Sequence, residues 1–406
     1  FDANQNFSTP ISNWINDTVL LSAHVAARSS SSSIFEINNG SVDIATTSIS
    51  PVSSTSNIYY RSSSINQKFI PASDSDGVIS INYNNNGNSS ALSWLDYFSL
   101  QGIASLNVNE ASHFLFRNAR SLSESDVINF KLSTLSNEYN CNVWNVTDPL
   151  NIKKQLLQSD NMDYFFQTTN TPLQEFIVIS NYDNAYIPHP IGLIDNQNIH
   201  GASQPDYIIL THPNFINAAN RLASYHNNLS GDNVLVVTTD QLYNEFSTGS
   251  QDVSAIRNLV KMFYDRAETI DEIPKNLLLF GDASFDYKNQ LYANSNFVPT
   301  YESSISNSIE SSYCTDDYFA VLDDDEGFWF GGESNSIYTD HVDIGIGRIP
   351  VNNVNDAEKF VDKVLSYNSL SSRGNWKNEI CFVADDADAV WELNLITHAD
   401  ALAEKI

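Results

Sequence analysis

The chain has 406 residues, 42% of them hydrophobic, and 49 acidic side chains against 20 basic ones give a formal net charge of −29. That length exceeds one ordinary core and predicts two or three domains, while the charge repels polyphosphate and anionic lipid and so excludes nucleic acid and acidic membrane surfaces as primary partners. Cys141, Cys314 and Cys381 are too few and too scattered for a disulfide framework or a zinc cluster, and no apolar run of about twenty residues is present to cross a membrane.

The sequence opens at Phe1 without a Met, a basic n-region or an apolar h-region, which reads as a removed signal or as part of a longer product. Residues 1–185 lack helical periodicity. They carry short alternating or apolar runs at Val19–Val25, Ser33–Ile37, Val78–Tyr83, His113–Arg117, Val127–Leu132, Cys141–Val146 and Glu175–Ile179. Polar clusters at Arg28–Ser33, Ser53–Ser56 and Asn84–Ser90 separate them. Short strands with polar turns predict a β-rich region, a sandwich or two small modules.

Residues 186–205 turn to Pro, His, Gly and Asn and read as a linker. Strand and helix alternate afterwards. Tyr207–His212 is a buried strand, Pro213 opens a helix carrying Phe215, Ala218, Ala219, Leu222 and Ala223 inward, and Val234–Thr238 is the next strand. A short helix capped by Thr239 and a longer one from Asp252 follow. Leu277–Phe280 runs into Gly281-Asp282 with no polar alternation, the mark of a central parallel strand buried on both faces. After a polar stretch at Asn289–His341 come a strand at Asp343–Arg348, a helix from Asn355, a strand at Ile380–Ala384 and a last helix that reaches Ile406 without a cap. The missing cap predicts that the fold continues past that residue. Cys381, inside the apolar run ICFVA, is expected to be a buried small hydrophobe. The whole predicts an α/β parallel sheet with helices on both faces, 206–375 forming one subdomain and 376–406 beginning another.

Chemistry in such a sheet is expected beyond the carboxyl ends of the strands, which draws attention to His212, Asp282, Ser284 and Asp286. No GxGxxG opens a helix and no GxxxxGK[ST] occurs, and Gly345-Ile346-Gly347 lies inside a strand, so a nucleotide cofactor is not expected. Gly-x-Ser-x-Gly is absent too, which excludes an α/β-hydrolase elbow. Carboxylates are the richest signal. Asp323-Asp324-Asp325-Glu326-Gly327 reads either as a solvated turn or as hard oxygen ligands for calcium, without the spacing of an EF-hand. Asp316 and Asp317, in SYCTDDYFA, are substrate-lining candidates together with His212 and Asp282. Asp385, Asp386 and Asp388 follow a predicted strand, where capping the next helix is the commoner job. Cys314 and His212 form a weak candidate dyad, since nothing requires them to meet.

The run from His200 to Asp388 resembles the gingipain family of cysteine peptidases, and within it the sortase-like peptidases of the bacterial type IX secretion system. The resemblance rests on DYIILTHPNF at Asp206–Phe215, VVTTDQLYNEFSTGSQDVSAIR at Val236–Arg257 and LLLFGDASFDYKN at Leu277–Asn289. It continues through NFVPTYESS at Asn296–Ser304, DDYFAVLDDDEG at Asp316–Gly327, DIGIGRIPV at Asp343–Val351 and CFVADDAD at Cys381–Asp388. The resemblance implies a caspase-like fold and a Cys nucleophile with a His base in a Gly-His-Gly stretch. No Gly-His-Gly occurs in these 406 residues, so the dyad is expected outside them. It also implies an acidic residue at the head of the Gly-Arg strand behind the catalytic His, here Asp343, whose carboxylate would orient the imidazole. By the same resemblance the enzyme sits at the bacterial cell surface, associated with the outer membrane. It would remove C-terminal sorting domains from exported proteins and transfer them to a lipopolysaccharide anchor, with an outer-membrane β-barrel of the PorV type as partner. No cofactor is required, and calcium is optional. The rival expectation is a non-catalytic scaffold of the same fold.

Overall fold

Alternation of apolar and polar residues builds the N-terminal part as predicted. Val19, Leu21, Ala23 and Val25 point inward from the strand Val19–Arg28, which pairs antiparallel with Arg61–Phe69 and Leu92–Gln101. A second sheet runs in the order Asn4–Ser8, Val78–Asn84, Ser33–Asn39, Val42–Ile49, and Phe35, Ile37, Ile79 and Ile81 join Leu21 and Val25 in one core. A further pair of four-stranded sheets covers Leu106–Ile179 around Phe130, Phe166 and Phe176, whose ring centroids lie 5.1–5.4 Å apart. The computed structural model describes residues 4–9, 15, 18–72, 77–108, 113–119, 127–134, 141–169, 173–180, 187–288, 295–305, 307–327 and 340–405. The chain divides into two units, Phe1–Ile194 with Ser306–Ser311 and Asp195–Ile305 with Ser312–Ile406.

The second unit holds four parallel strands: β1 (Tyr207–Thr211), β2 (Val234–Thr238), β3 (Asn276–Phe280) and β4 (Gly345–Ile349). Their order is β2-β1-β3-β4. β1 and β3 sit in the middle, and four of five residues in each are buried, which is why neither shows polar alternation. Helix α1 (Ile216–Leu229) and helix α4 (Val354–Tyr367) cover one face, where Phe215, Ala219, Leu222, Ala357 and Val361 pack on Ile209, Leu278 and Phe280. Helix α2 (Thr239–Phe246) and helix α3 (Val253–Arg266) cover the other, where Leu242, Ile256, Leu259 and Phe263 meet Ile208, Leu210, Leu277 and Leu279. The unit is therefore doubly wound, and its strand order reverses between β1 and β3.

Three sequence expectations need correcting. Helix α2 is capped by Thr238, not Thr239: the Thr238 hydroxyl accepts from Gln241 N–H and the Gln241 side chain accepts from Thr238 N–H, a capping box. Ile380–Ala384 is not a strand. An apolar run becomes a strand only when neighbours take its N–H and C=O groups. No strand among the described residues pairs with this one, and Ile380 and Val383 remain exposed. For the same reason Cys381 is exposed instead of buried. The last helix, α5 (Leu393–Ala403), buries none of its described residues.

The entry to the second unit is clamped by one carboxylate. Glu245 of α2 accepts from Ile199 N–H at 2.8 and 2.9 Å, His200 N–H at 3.1 Å, Gln197 Nε2 at 2.9 Å and His200 Nδ1 at 2.6 Å. Burial alone would raise its pKa, but these donors outweigh burial and hold it near 2. A depressed carboxylate stabilises the fold above its unfolded value, and that stability is lost as pH falls through the folded one. Glu245→Gln is thus expected to lower stability on the order of 2–3 kcal/mol at neutral pH. The difference from the parent should close as pH drops from about 4.5 toward 2, as denaturant titrations over that range would show.

Candidate functional site

The crevice of a doubly wound sheet opens where the strand order reverses, here beyond Thr211 of β1 and Phe280 of β3. Thr211 donates its hydroxyl to the Phe280 carbonyl at 3.0 Å and stitches the two strand ends together. His212 follows at once. Its Nδ1 accepts the Asn214 N–H at 3.2 Å, capping the short turn Pro213–Phe215 that leads into α1. An accepting Nδ1 requires the neutral ring with its proton on Nε2, and burial accordingly lowers the His212 pKa. Phe297 stands edge-on to the ring at 5.0 Å. His212 stands at the carboxyl end of β1, with one of its ring nitrogens committed to structure.

Asp282 occupies the matching place after β3 and is half-buried. Its N–H donates to Val351 C=O at 2.9 Å, its carbonyl accepts from Phe297 and Val298 N–H, and its Oδ1 accepts from Ala283 N–H at 3.0 Å. The preceding residue has to be glycine. Gly281 has φ +156°, and a Cβ there would lie 2.9 Å from Val298 Cγ2.

Asp316 is drawn into a network that spacing did not reveal. Arg348, at the end of β4, donates Nε to Asp316 Oδ2 at 2.8 Å and Nη2 to Asp316 Oδ1 at 2.7 Å. Its remaining N–H groups reach the carbonyls of Gly281 at 2.8 Å, Val298 at 2.6 Å and Pro299 at 3.3 Å. A single guanidinium with 13% exposure therefore ties the loop after β3, the following insertion and β4 together. Both Asp316 oxygens are taken, with Thr300 Oγ1 as a further donor. Asp317 is exposed and begins the turn Asp317–Phe319. Arg348 was the legible clue: an Arg among Gly and Ile in a strand needs a buried partner.

The acidic turn and Asp343 meet at the opposite, amino-terminal edge of the sheet. Asp343 precedes β4, and its Oδ2 accepts Leu322 N–H at 2.6 Å. One carboxylate oxygen each from Asp323, Glu326 and Asp343 lie within 4.8 Å of one another. Asp324 points away, 94% exposed and paired with Lys261 at 2.8 Å, and Asp325 is exposed as well. Of the four acidic residues that the sequence offers on this turn, Asp323 and Glu326 stand beside Asp343. Asp343, which the resemblance sets behind an imidazole outside these residues, stands at this edge, just before β4.

None of the three thiols is set up as a nucleophile. Activation needs a nearby cation or base that favours the thiolate. Burial pushes the Cys141 thiol up to about 11. Burial, and then the acidic neighbours Glu302 and Asp316, raise that of Cys314. The one hydrogen bond of Cys381 is to its neighbour's carbonyl at 3.9 Å. No described cysteine bonds a histidine, so His212 and Cys314 do not form a dyad.

The sequence model of peptidase family C25 matches residues 200–406, just over half of the chain and the whole of the parallel sheet. No curated protein matches. Among solved structures, dimeric latent PorU from Porphyromonas gingivalis is similar with a TM-score of 0.77 at 23% identity, over 93% of this chain and 36% of that one. The chain thus spans about a third of the length of that relative and shares its fold.

Proposed function

The chain belongs to peptidase family C25, the gingipain family of cysteine peptidases, and from this we propose that it is the β-rich region and first sheet of a cell-surface cysteine endopeptidase. The single observation that carries the reading is the family match over the complete doubly wound sheet, with its crevice between β1 and β3. In this reading the nucleophile and its base come from outside these 406 residues, because none of the three cysteines here is activated. The thiolate attacks the scissile carbonyl, and water or an amine resolves the acyl-enzyme. Likeness of fold to PorU supports, as the substrate class, exported proteins bearing C-terminal sorting domains. It likewise supports transfer to a lipopolysaccharide anchor and a PorV-type β-barrel that holds the enzyme at the outer membrane. No described helix is long and apolar enough to cross a membrane.

The test is cleavage of an exported protein that carries its sorting domain. The full-length gene product should cleave it in a thiol-dependent manner, and the isolated 406-residue chain should not. A full-length product without activity would favour the scaffold reading instead.

A further inference from the structure

We propose that the outer face of the N-terminal sheet built from Arg61–Phe69, Val19–Arg28 and Leu92–Gln101 is a platform for a neutral polysaccharide, whose sugars stack on Trp94, Tyr97 and Tyr59. Alternation along Val19–Arg28 sends Leu21, Ala23, Val25 and Ala27 into the core and turns the residues between them to solvent. Solvent-facing places on a sheet are ordinarily polar. Here Trp94 is 38% exposed, Tyr97 52% and the adjoining Tyr59 37%. Large rings gathered in water mark a binding surface more often than scattered single ones do. These are gathered: the Trp94 ring lies 6.0 Å from that of Tyr60 and 6.4 Å from that of Tyr59, and Arg28 lies 4.2 Å over Tyr59.

The second observation is a β-bulge. Leu95 pairs with Val25 and Tyr97 with His24, so Asp96 is an extra residue in its strand. Strict alternation from the inward Leu95 would carry Tyr97 into the core. The bulge puts it outside, one outward place along from Trp94 and with its ring 6.3 Å from that of His24.

The chemistry of the face selects its ligand. The electron-rich side of an aromatic ring attracts groups with positive character: the C–H face of a pyranose, a cation or a nucleobase. Nucleobases arrive with phosphates, which a chain of net charge −29 repels. A cation would be held by carboxylates, but the three strands contain one acidic residue, Asp96, which is paired with His24 Nδ1 at 3.1 Å. Protein interfaces are poor in serine, whereas Ser22, Ser62, Ser64 and Ser99 hold outward places on this sheet. Ser22 donates to Asn66 Oδ1 at 2.8 Å, which fixes the amide and leaves its N–H groups for a sugar hydroxyl. Stacked rings beside neutral donors and acceptors match a neutral sugar on both its apolar and its hydroxyl-bearing sides.

The experiment is affinity electrophoresis of the 406-residue chain through native gels that hold a neutral mannan, a neutral β-glucan or an acidic pectate. At least one neutral polymer should retard the chain, and pectate should not. Trp94→Ala and Tyr97→Ala should each weaken the retardation about tenfold or more, the loss of one stacked ring. Trp391→Ala, at a ring 70% exposed in the other unit, should leave it unchanged. Protection of Trp94 from oxidation by N-bromosuccinimide in the presence of the retarding polymer reads the same contact on the unaltered chain, even if a variant fails to fold. Free migration in both neutral gels, retardation that survives both substitutions, or an equal effect of pectate would overturn the platform. A dimer of the unaltered chain that Trp94→Ala dissolves would overturn it too, by making the face a contact between two copies.

Discussion

Arg348→Ala should be among the most damaging single changes in the parallel-sheet unit, lowering stability by about 3–5 kcal/mol, the range for stripping one partner from a buried ion pair. The loss is not that of one salt bridge. Asp316 would keep its charge at 22% exposure with only Thr300 left as a side-chain donor, and the carbonyls of Gly281, Val298 and Pro299 would each lose a partner. An unmade hydrogen bond in a shielded place costs about 1–3 kcal/mol, so the orphaned acceptors dominate the total. Arg348→Lys should recover little, because one ammonium cannot span both Asp316 oxygens and three carbonyls. Removing the carboxylate as well, in Arg348→Ala with Asp316→Ala, should cost less than the two single changes added together. Calorimetry of the four proteins measures this, and strict additivity would contradict the network.

Phe280→Ala should cost a comparable 3–5 kcal/mol by leaving a cavity at the carboxyl end of β3. Phe280 is fully buried, and its ring lies 6.4 Å from that of Phe215 in a T-shaped pair. Phe215 in turn contacts Phe297 at 5.0 Å, and Phe297 stands against His212. The ring therefore supports the wall of the crevice as well as the core. Phe285, five residues later and 70% exposed, is the control: its replacement by Ala should stay within about 0.5 kcal/mol. Denaturant midpoints of the two variants decide the matter, and equal effects would refute the packing described here.

The sheet was legible because its signals are local. Leu277–Phe280 and Tyr207–Thr211 are apolar without interruption, and helix α3 repeats its inward residues at Ile256, Leu259, Val260 and Phe263. The site was less legible because its contacts join residues far apart in sequence. Asp316 lies 32 positions from Arg348, and Asp343 lies 21 from Leu322, so no spacing rule connects them. The acidic turn shows both sides: composition marked Asp323–Glu326, but only the fold pairs Asp324 with Lys261 and brings Asp323 and Glu326 near Asp343. Ile380–Ala384 failed for a third reason. A strand is a property of a pair, and its apolar residues carry no information on whether the partner is there.

We propose that this chain builds the sheet and its crevice while the nucleophile comes from outside these 406 residues. The most direct measurement is active-site labelling of the full-length protein with a thiol-directed, substrate-like peptide, read out by mass spectrometry of the modified cysteine. The label should fall on a cysteine other than Cys141, Cys314 and Cys381, and replacing all three by Ser should leave peptidase activity in place. A label on Cys314, with activity lost in Cys314→Ser, would contradict the account.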